Sequence, residues 1–183
     1  MEDKKVLREK YIKIRNDIED KLEKSGLIFN KIISLSEYKN ANIIGLYNSI
    51  GSEVNTSEMI EYFISDDKIV CLPRVFGDDL KFYRIYSLND KFEKSKFNVL
   101  EPIIDSNNYI DVDKIDLLLV PGVCFDVYKN RLGYGKGYYD RYLENADVMK
   151  IGICYEEQII SKLPVSNNDV RLDKVITDKR TYE

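Results

Sequence analysis

The chain has 183 residues, a length that suits one domain and buries roughly two-thirds of its unfolded surface without needing a disulfide or structural metal. It is 44% hydrophobic and 33% charged, with a net charge of −4 in which acids and bases interleave; the basic face of a general nucleic-acid binder is absent, but a few Lys and Arg can still converge on a small anion. There is no histidine, which removes Ser-His-Asp and Cys-His catalysis and histidine zinc sites, and leaves carboxylates, Lys, Arg, Tyr, backbone amides or a carboxylate-bound metal to do any chemistry.

In chain order, residues 3–24 are predicted to be helix, with Leu7, Tyr11, Ile14, Ile18 and Leu22 forming an apolar stripe at three- and four-residue spacing. Ser25-Gly26 marks a break, after which Phe29, Ile32 and Ile33 continue an apolar face. A short strand is expected from Asn42 to Tyr47. Asn55-Thr56-Ser57-Glu58 has the form of a capping box that opens a helix to about Ile64. Ile69 to Pro73 reads as a second strand, Gly77-Asp78-Asp79 as a turn, and Lys81 to Ile85 as a third strand. The continuous apolar run Leu117-Leu118-Leu119-Val120 reads as a buried parallel strand. A helix from about Tyr138 to Asn145 follows a glycine-rich loop. Lys150 to Cys154 and Val175 to Thr177 are further strands, with Gln158 in a short helical stretch between them.

Strands alternating with helices imply an α/β layered domain with a mostly parallel sheet, here a single domain over residues 1–183. Cys71, Cys124 and Cys154 are far apart, without C-x-x-C spacing, and are expected as buried reduced thiols. No apolar run approaches the roughly 20 residues of a membrane span. The start Met1-Glu2-Asp3-Lys4-Lys5 lacks the apolar core of a signal peptide. The expectation is a cytoplasmic protein with no membrane or nucleic-acid partner.

The segment with the most chemistry is Arg131-Leu132-Gly133-Tyr134-Gly135-Lys136-Gly137-Tyr138-Tyr139-Asp140. Its alternate glycines can take positive φ, and their N–H groups can turn toward an anion beside the next helix. Arg131 and Lys136 add positive charge, and Asp140 is placed to hold Mg²⁺ against a bound phosphate. The loop is not a Walker A loop, since no Lys-Ser or Lys-Thr follows its glycines. Nor is it a dinucleotide fingerprint, which directly follows a strand. From the residues alone, a glycine-rich turn with a solvated lysine stands beside the phosphate reading.

The run Val120-Pro121-Gly122-Val123-Cys124-Phe125-Asp126, with Arg131 to Asp140, resembles the signature of 5-formyltetrahydrofolate cyclo-ligases. Lys4 and Arg8 in Lys-x-x-Leu-Arg, Gly51 to Thr56, Leu72-Pro73-Arg74, Leu100-Glu101-Pro102, Gln158, Leu163-Pro164 and Asn168-Asp169 fall in the order seen in that family. The resemblance covers nearly the whole chain. It implies a three-layer α/β/α fold related to sugar-phosphate isomerases and CoA transferases. It also implies ATP- and Mg²⁺-dependent conversion of 5-formyltetrahydrofolate to 5,10-methenyltetrahydrofolate; the expected state is a monomer, which the sequence itself does not reveal.

By the same resemblance, Lys4, Arg8 and the loop Arg131, Leu132, Gly133, Tyr134, Gly135, Lys136, Gly137, Tyr138 and Tyr139 bind ATP. Lys136, Arg131 and Tyr138 serve the reacting groups. Asn48, Glu53 and the loop from Tyr134 to Tyr138 face the folate, and Asp140 and Asp169 hold the metal. Tyr134 stands where some members carry Arg, a charge that a phenol does not supply. Without the resemblance, Lys4 and Arg8 read first as a solvated helix face, Glu53 as a loop charge, Tyr138 and Tyr139 as core or rim aromatics, and Asp169 as a turn residue.

Overall fold

The computed structural model describes residues 3–96, 98–144 and 146–183. The chain opens with α1 (Lys4–Asp17), α2 (Lys21–Ser34) and α3 (Ser36–Asn40), then β1 (Ile43–Gly45), α4 (Ser57–Ser65) and β2 (Ile69–Phe76). Next come β3 (Asp79–Ile85), β4 (Phe92–Lys94), β5 (Leu100–Pro102), β6 (Tyr109–Ile110) and β7 (Leu117–Val120). The second half holds β8 (Cys124–Asp126), β9 (Arg131–Leu132), α5 (Tyr138–Leu143), β10 (Met149–Ile153), β11 (Ile159–Ile160), β12 (Lys174–Ile176) and β13 (Thr181–Tyr182). Short 3₁₀ turns occupy Val112–Lys114 and Glu156–Gln158.

The main sheet runs in the order β13-β12-β10-β7-β1-β2-β3-β6. Its centre, from β12 to β2, is parallel, while β13, β3 and β6 add antiparallel edges. This is the layered α/β architecture with a mostly parallel sheet that the alternation of elements implies. Because side chains alternate across a strand, Leu117 and Leu119 face one layer and Leu118 and Val120 the other. On the first face, Ile44, Val70, Ile151 and Ile176 pack with Ile28 and Ile32 of α2 and Met59, Ile60 and Phe63 of α4. On the second, Cys71, Phe82, Leu118, Val120 and Val175 pack with Phe125, Leu143 and the tyrosines of α5. A third cluster seats Leu7 and Tyr11 of α1 against Val123, Cys124, Leu132 and Leu163. All three cysteines are free and buried, as their apolar neighbourhoods suggest.

β1 is the point where the topology reverses. The chain leaves β1 through α4 to its neighbour β2 on one side, and later fills β7, β10 and β12 on the other. Gly45 lies in β1 where a Cβ would come within 2.5 Å of the Leu118 Cδ1, so a larger residue there would displace the Leu118 side chain from the second core cluster.

The N-terminal helix reading needs correction. The chain breaks at Ile18–Asp20, where Asp20 has φ 54°, and α2 then runs unbroken through Ser25 and Gly26. The apolar stripe therefore ends at Ile18, and Leu22 is 70% exposed on the new helix. Ser25 tolerates its position inside α2 because its hydroxyl is buried against Tyr155 at 3.1 Å and accepts the Asn55 amide at 3.0 Å. The capping box before α4 is also only partly realised. Asn55 accepts the Ser57 amide at 3.0 Å, but no return bond from Glu58 is found among the described residues. The Thr56 hydroxyl instead donates to the Tyr47 carbonyl at 2.7 Å. Tyr138 does open a helix, whose described part ends at Leu143; Asn145 lies outside the described residues.

Candidate active site

A cleft of about 570 Å³ opens beside the carboxyl ends of β1, β2 and β7. That is the topological switch point, where open α/β sheets usually take ligands. α1 reaches it through Lys4 and Arg8. The segment after β1 supplies Tyr47, Asn48, Ile50 and Glu53, and Pro73, Val75, Leu80, Val99 and Leu100 add apolar lining. The glycine loop lines it from Arg131 to Tyr139, followed by Asp140, and Asp169 arrives from near the end of the chain. Every residue expected to bind ATP, folate or metal thus lies at one place. The structure brings them together.

The glycine loop is held from behind. Asp126 is fully buried, and its carboxylate accepts the amides of Tyr128, Asn130 and Leu163 and the Asn130 side chain, at 2.9–3.2 Å. Gln158, also buried, donates to the carbonyls of Gly122 and Val123 at 3.3 and 2.8 Å. These two residues belong to the recognised motifs, but their work is to fix the β8–β9 hairpin from which the loop springs. Beyond Leu132, Gly135 and Gly137 have φ of 93° and 68°, values that L side chains rarely adopt. A Cβ on Gly135 would also lie 3.2 Å from the Arg8 guanidinium. α5 has only six residues, so a helix dipole adds little, and the loop's cations must supply most of any attraction for an anion.

Four cations, Lys4, Arg8, Arg131 and Lys136, share the lining with four carboxylates, Glu53, Glu101, Asp140 and Asp169. Arg131 donates to Asp140 Oδ1 at 2.9 Å, and Lys4 to Asp169 Oδ2 at 2.5 Å. Arg8 donates through Nε to the Gly133 carbonyl at 2.8 Å, tying α1 to the loop. Lys136 is exposed, and among the described residues its ammonium has no side-chain partner. Burial opposes ionisation of Asp169, but the Lys4 ammonium and the Ser166 amide outweigh it and hold the carboxyl below its usual range. Asp140 Oδ1 also accepts the Val170 amide at 3.3 Å, which places the two aspartates on adjoining backbone. The Arg131 Nε and the Tyr139 hydroxyl are buried without a partner among the described residues.

On the other wall, burial pushes the Glu53 carboxyl above its usual range. Its Oε2 accepts the Ile50 amide at 3.0 Å and its Oε1 the Tyr134 hydroxyl at 2.5 Å. Tyr134 is thus turned toward Glu53 and not into the cationic group. Asn48 reaches across to the Leu100 carbonyl at 3.3 Å. Arg74, from the Leu-Pro-Arg motif, anchors the Leu100–Pro102 edge by donating to the Pro102 carbonyl at 2.8 Å. Sequence reasoning missed Arg15, which is 5% exposed and bonded to Tyr134 and Ser52. Its signal was present: a charge at i+4 from Tyr11 and i+8 from Leu7, on the buried face of α1.

The fold and cleft define an α/β protein with a glycine loop, clustered cations and a buried acid around one cleft. A profile of the 5-formyltetrahydrofolate cyclo-ligase family matches residues 1–178. The probable 5-formyltetrahydrofolate cyclo-ligase of Schizosaccharomyces pombe is 31% identical over 170 residues, covering 84% of this chain and 83% of the yeast protein. The NMR structure of Aquifex aeolicus 5,10-methenyltetrahydrofolate synthetase superposes with a TM-score of 0.85 at 30% identity, over 97% of this chain and 91% of that one. The 5,10-methenyltetrahydrofolate synthetase from Mycoplasma pneumoniae gives 0.78 at 28% identity, over 97% and 99%. The chain belongs to the 5-formyltetrahydrofolate cyclo-ligase family.

Proposed function

We propose that the protein closes 5-formyltetrahydrofolate to 5,10-methenyltetrahydrofolate at the expense of ATP, releasing ADP and phosphate. The observation that carries this reading is the two-sided cleft: a glycine loop with Lys136, Arg8 and Arg131 on one side, and the buried Glu53 among apolar residues on the other. The formyl oxygen attacks the γ-phosphorus and ADP departs. The folate N10 then attacks the activated formyl carbon, phosphate leaves with the former formyl oxygen, and N10 gives up its proton. Lys4, Arg8, Arg131, Lys136 and the loop amides from Leu132 to Tyr139 hold the polyphosphate. Lys136 and Arg131 meet the charge that develops on the transferring group, beside Tyr138. Asn48, Glu53 and the loop residues 134–138 hold the folate so that N5-formyl and N10 stay close, which is where much of the rate advantage originates.

Mg²⁺ accompanies the nucleotide in this proposal, with Asp140 and Asp169 as its protein ligands. The donor set fits. Among the described residues, hydrogen bonds to Asp140 fall on Oδ1 and those to Asp169 on Oδ2, which leaves one oxygen of each for a further ligand. No cluster of three acidic, His or Cys residues able to hold a metal exists among the described residues, and Mg²⁺ commonly takes one or two carboxylates and completes its shell with phosphates and water. Bound there, it would neutralise charge on the phosphate oxygens. The proposal also takes the protein as a monomer in the cytoplasm whose partners are its small-molecule substrates; its three unpaired thiols suit a reducing compartment.

The test is to mix protein, 5-formyltetrahydrofolate, Mg²⁺ and ATP and follow the near-ultraviolet absorbance of the methenyl product alongside ADP. ADP should form in step with product, and neither should form without ATP or metal. Equal product with and without ATP would overturn the proposal.

A further inference from the structure

We propose that Arg15 is a positioning residue for the substrate side of the cleft: from behind the lining it holds the Glu53 carboxylate in its acceptor orientation and ties it to the glycine loop through Tyr134. The inference rests on the cyclo-ligase reading, in which Glu53 receives donors of the folate ring.

The arrangement is a closed triangle. The Arg15 Nη2 donates to the Tyr134 hydroxyl at 3.0 Å, and that hydroxyl donates to Glu53 Oε1 at 2.5 Å. The Arg15 Nη1 lies 3.9 Å from the same Oε1. Nε of the same guanidinium donates to Ser52 Oγ at 3.0 Å, and Ser52 in turn donates to Asn16 Oδ1 at 2.6 Å. One planar group therefore clamps two residues of the segment 52–53 and one residue of the glycine loop. A guanidinium has the fixed fork that this requires, whereas an ammonium can serve these partners only one or two at a time. Arg15 and Glu53 side chains are 7% and 6% exposed, so their attraction is poorly screened by solvent. Arg15 does not line the cleft, so it acts through Glu53 and Tyr134, not on the substrate.

Glu53 is faced by Arg15 from α1 and by Tyr134 from the glycine loop. Tyr47 after β1 and Tyr139 on α5 also feel its charge, and the Tyr155 hydroxyl donates to its carbonyl at 3.2 Å. Arg15 is the one cation in that set, and it opposes the upward push of burial on the carboxyl. A protonated Glu53 cannot accept as an anion, so substrate affinity should fall as pH drops through its pKa. Removing the positive charge raises that pKa and moves the fall toward neutrality.

The experiment compares wild type, Arg15→Gln and Arg15→Lys in steady-state kinetics for each substrate across pH. For Arg15→Gln, the acid limb of kcat/KM for 5-formyltetrahydrofolate should move up by about one pH unit. Its folate KM should rise by about tenfold or more, with little change in the KM for ATP. Arg15→Lys keeps the charge but loses the fork. Its acid limb should stay in place while its folate KM still rises. An unmoved acid limb in Arg15→Gln, or KM values for both substrates rising together, would reduce Arg15 to a structural contact and overturn the proposal. If Arg15→Gln does not fold, Arg15→Lys decides alone, and an unchanged folate KM there overturns it. A wild type that makes no methenyl product rejects the reaction itself; an active wild type whose variants lack this signature rejects only the role of Arg15.

Discussion

Lys136 shows how differently one residue reads in sequence and in space. In sequence it is a lysine among glycines, as consistent with a solvated turn as with a phosphate contact. In the folded chain it stands on the cleft rim beside Arg8 and Arg131, both of which already spend donors on the protein. Lys136→Ala should remove a charge-assisted contact worth roughly 1.5–3 kcal/mol in the bound state, so kcat/KM should fall about one to two orders of magnitude. Because its ammonium holds no side-chain partner among the described residues, the Tm should barely move. Unchanged activity would leave Lys136 as a solvated side chain. Glu53 makes the complementary case. Glu53→Gln keeps the shape and an acceptor oxygen but removes the charge. Calorimetric titration should therefore show folate weakened more than ATP, and equal losses for both ligands would point to a collapsed segment around Gly51–Asn55. That Glu53 would be buried was not legible from its loop context. Its burial depends on Tyr134, 81 positions away, and on Arg15 across the fold.

At the level of elements, long apolar runs were the most readable. Leu117 to Val120 is a fully buried central strand, as its unbroken apolar run implies. The stripe on α1 was also read correctly as far as Ile18, but the break after it was misplaced. A left-handed aspartate at 20 carries no sequence mark as strong as Ser25-Gly26, yet tertiary contacts of Ser25 override that mark. The strands β4, β5, β6, β8, β9, β11 and β13 have two or three residues each and escaped notice; β1 and β12 are as short, but the apolar pairs Ile43-Ile44 and Val175-Ile176 marked them. The β8–β9 hairpin matters most of these, since it launches the glycine loop. Its stability rests on Asp126, whose carboxylate gathers its partners in the interior. Asp126→Ala would leave those buried donors without an acceptor and cost about 3 kcal/mol or more. For a chain of this size that lowers the Tm by roughly 6–12 °C, measurable by thermal denaturation, with both substrates affected alike. A Tm within a degree of wild type would show that the hairpin is held by other means.

On the scale of the whole molecule, the cleft exists because distant parts of the chain meet where the sheet order reverses. α1 brings Lys4, the elements on either side of the glycine loop, β9 and α5, bring Arg131 and Asp140, and the segment before β12 brings Asp169. The meeting is tight: Lys4 bonds Asp169, Arg131 bonds Asp140, and the Val170 amide bonds Asp140. No spacing rule relates these positions, so their convergence followed only from the family resemblance and not from any local pattern. It sets up a test of a shared metal site. Each aspartate is already paired with a cation, so neither should bind Mg²⁺ firmly alone. If ATP and Mg²⁺ bind as proposed, phosphate oxygens would compete with the carboxylates for Lys4 and Arg131, and Asp140 and Asp169 would be free to hold the ion. Asp140→Asn and Asp169→Asn should therefore each raise the Mg²⁺ concentration for half-maximal activity. The double variant should lose less than the sum of the two singles in free energy, since either change already disables the same site. The measurement is a double-mutant cycle in kcat/KM at limiting Mg²⁺, repeated at saturating Mg²⁺, where the coupling should shrink. Fully additive losses at both concentrations would mean that the two carboxylates act apart, with Asp169 serving only to hold Lys4 and the turn at Ser166.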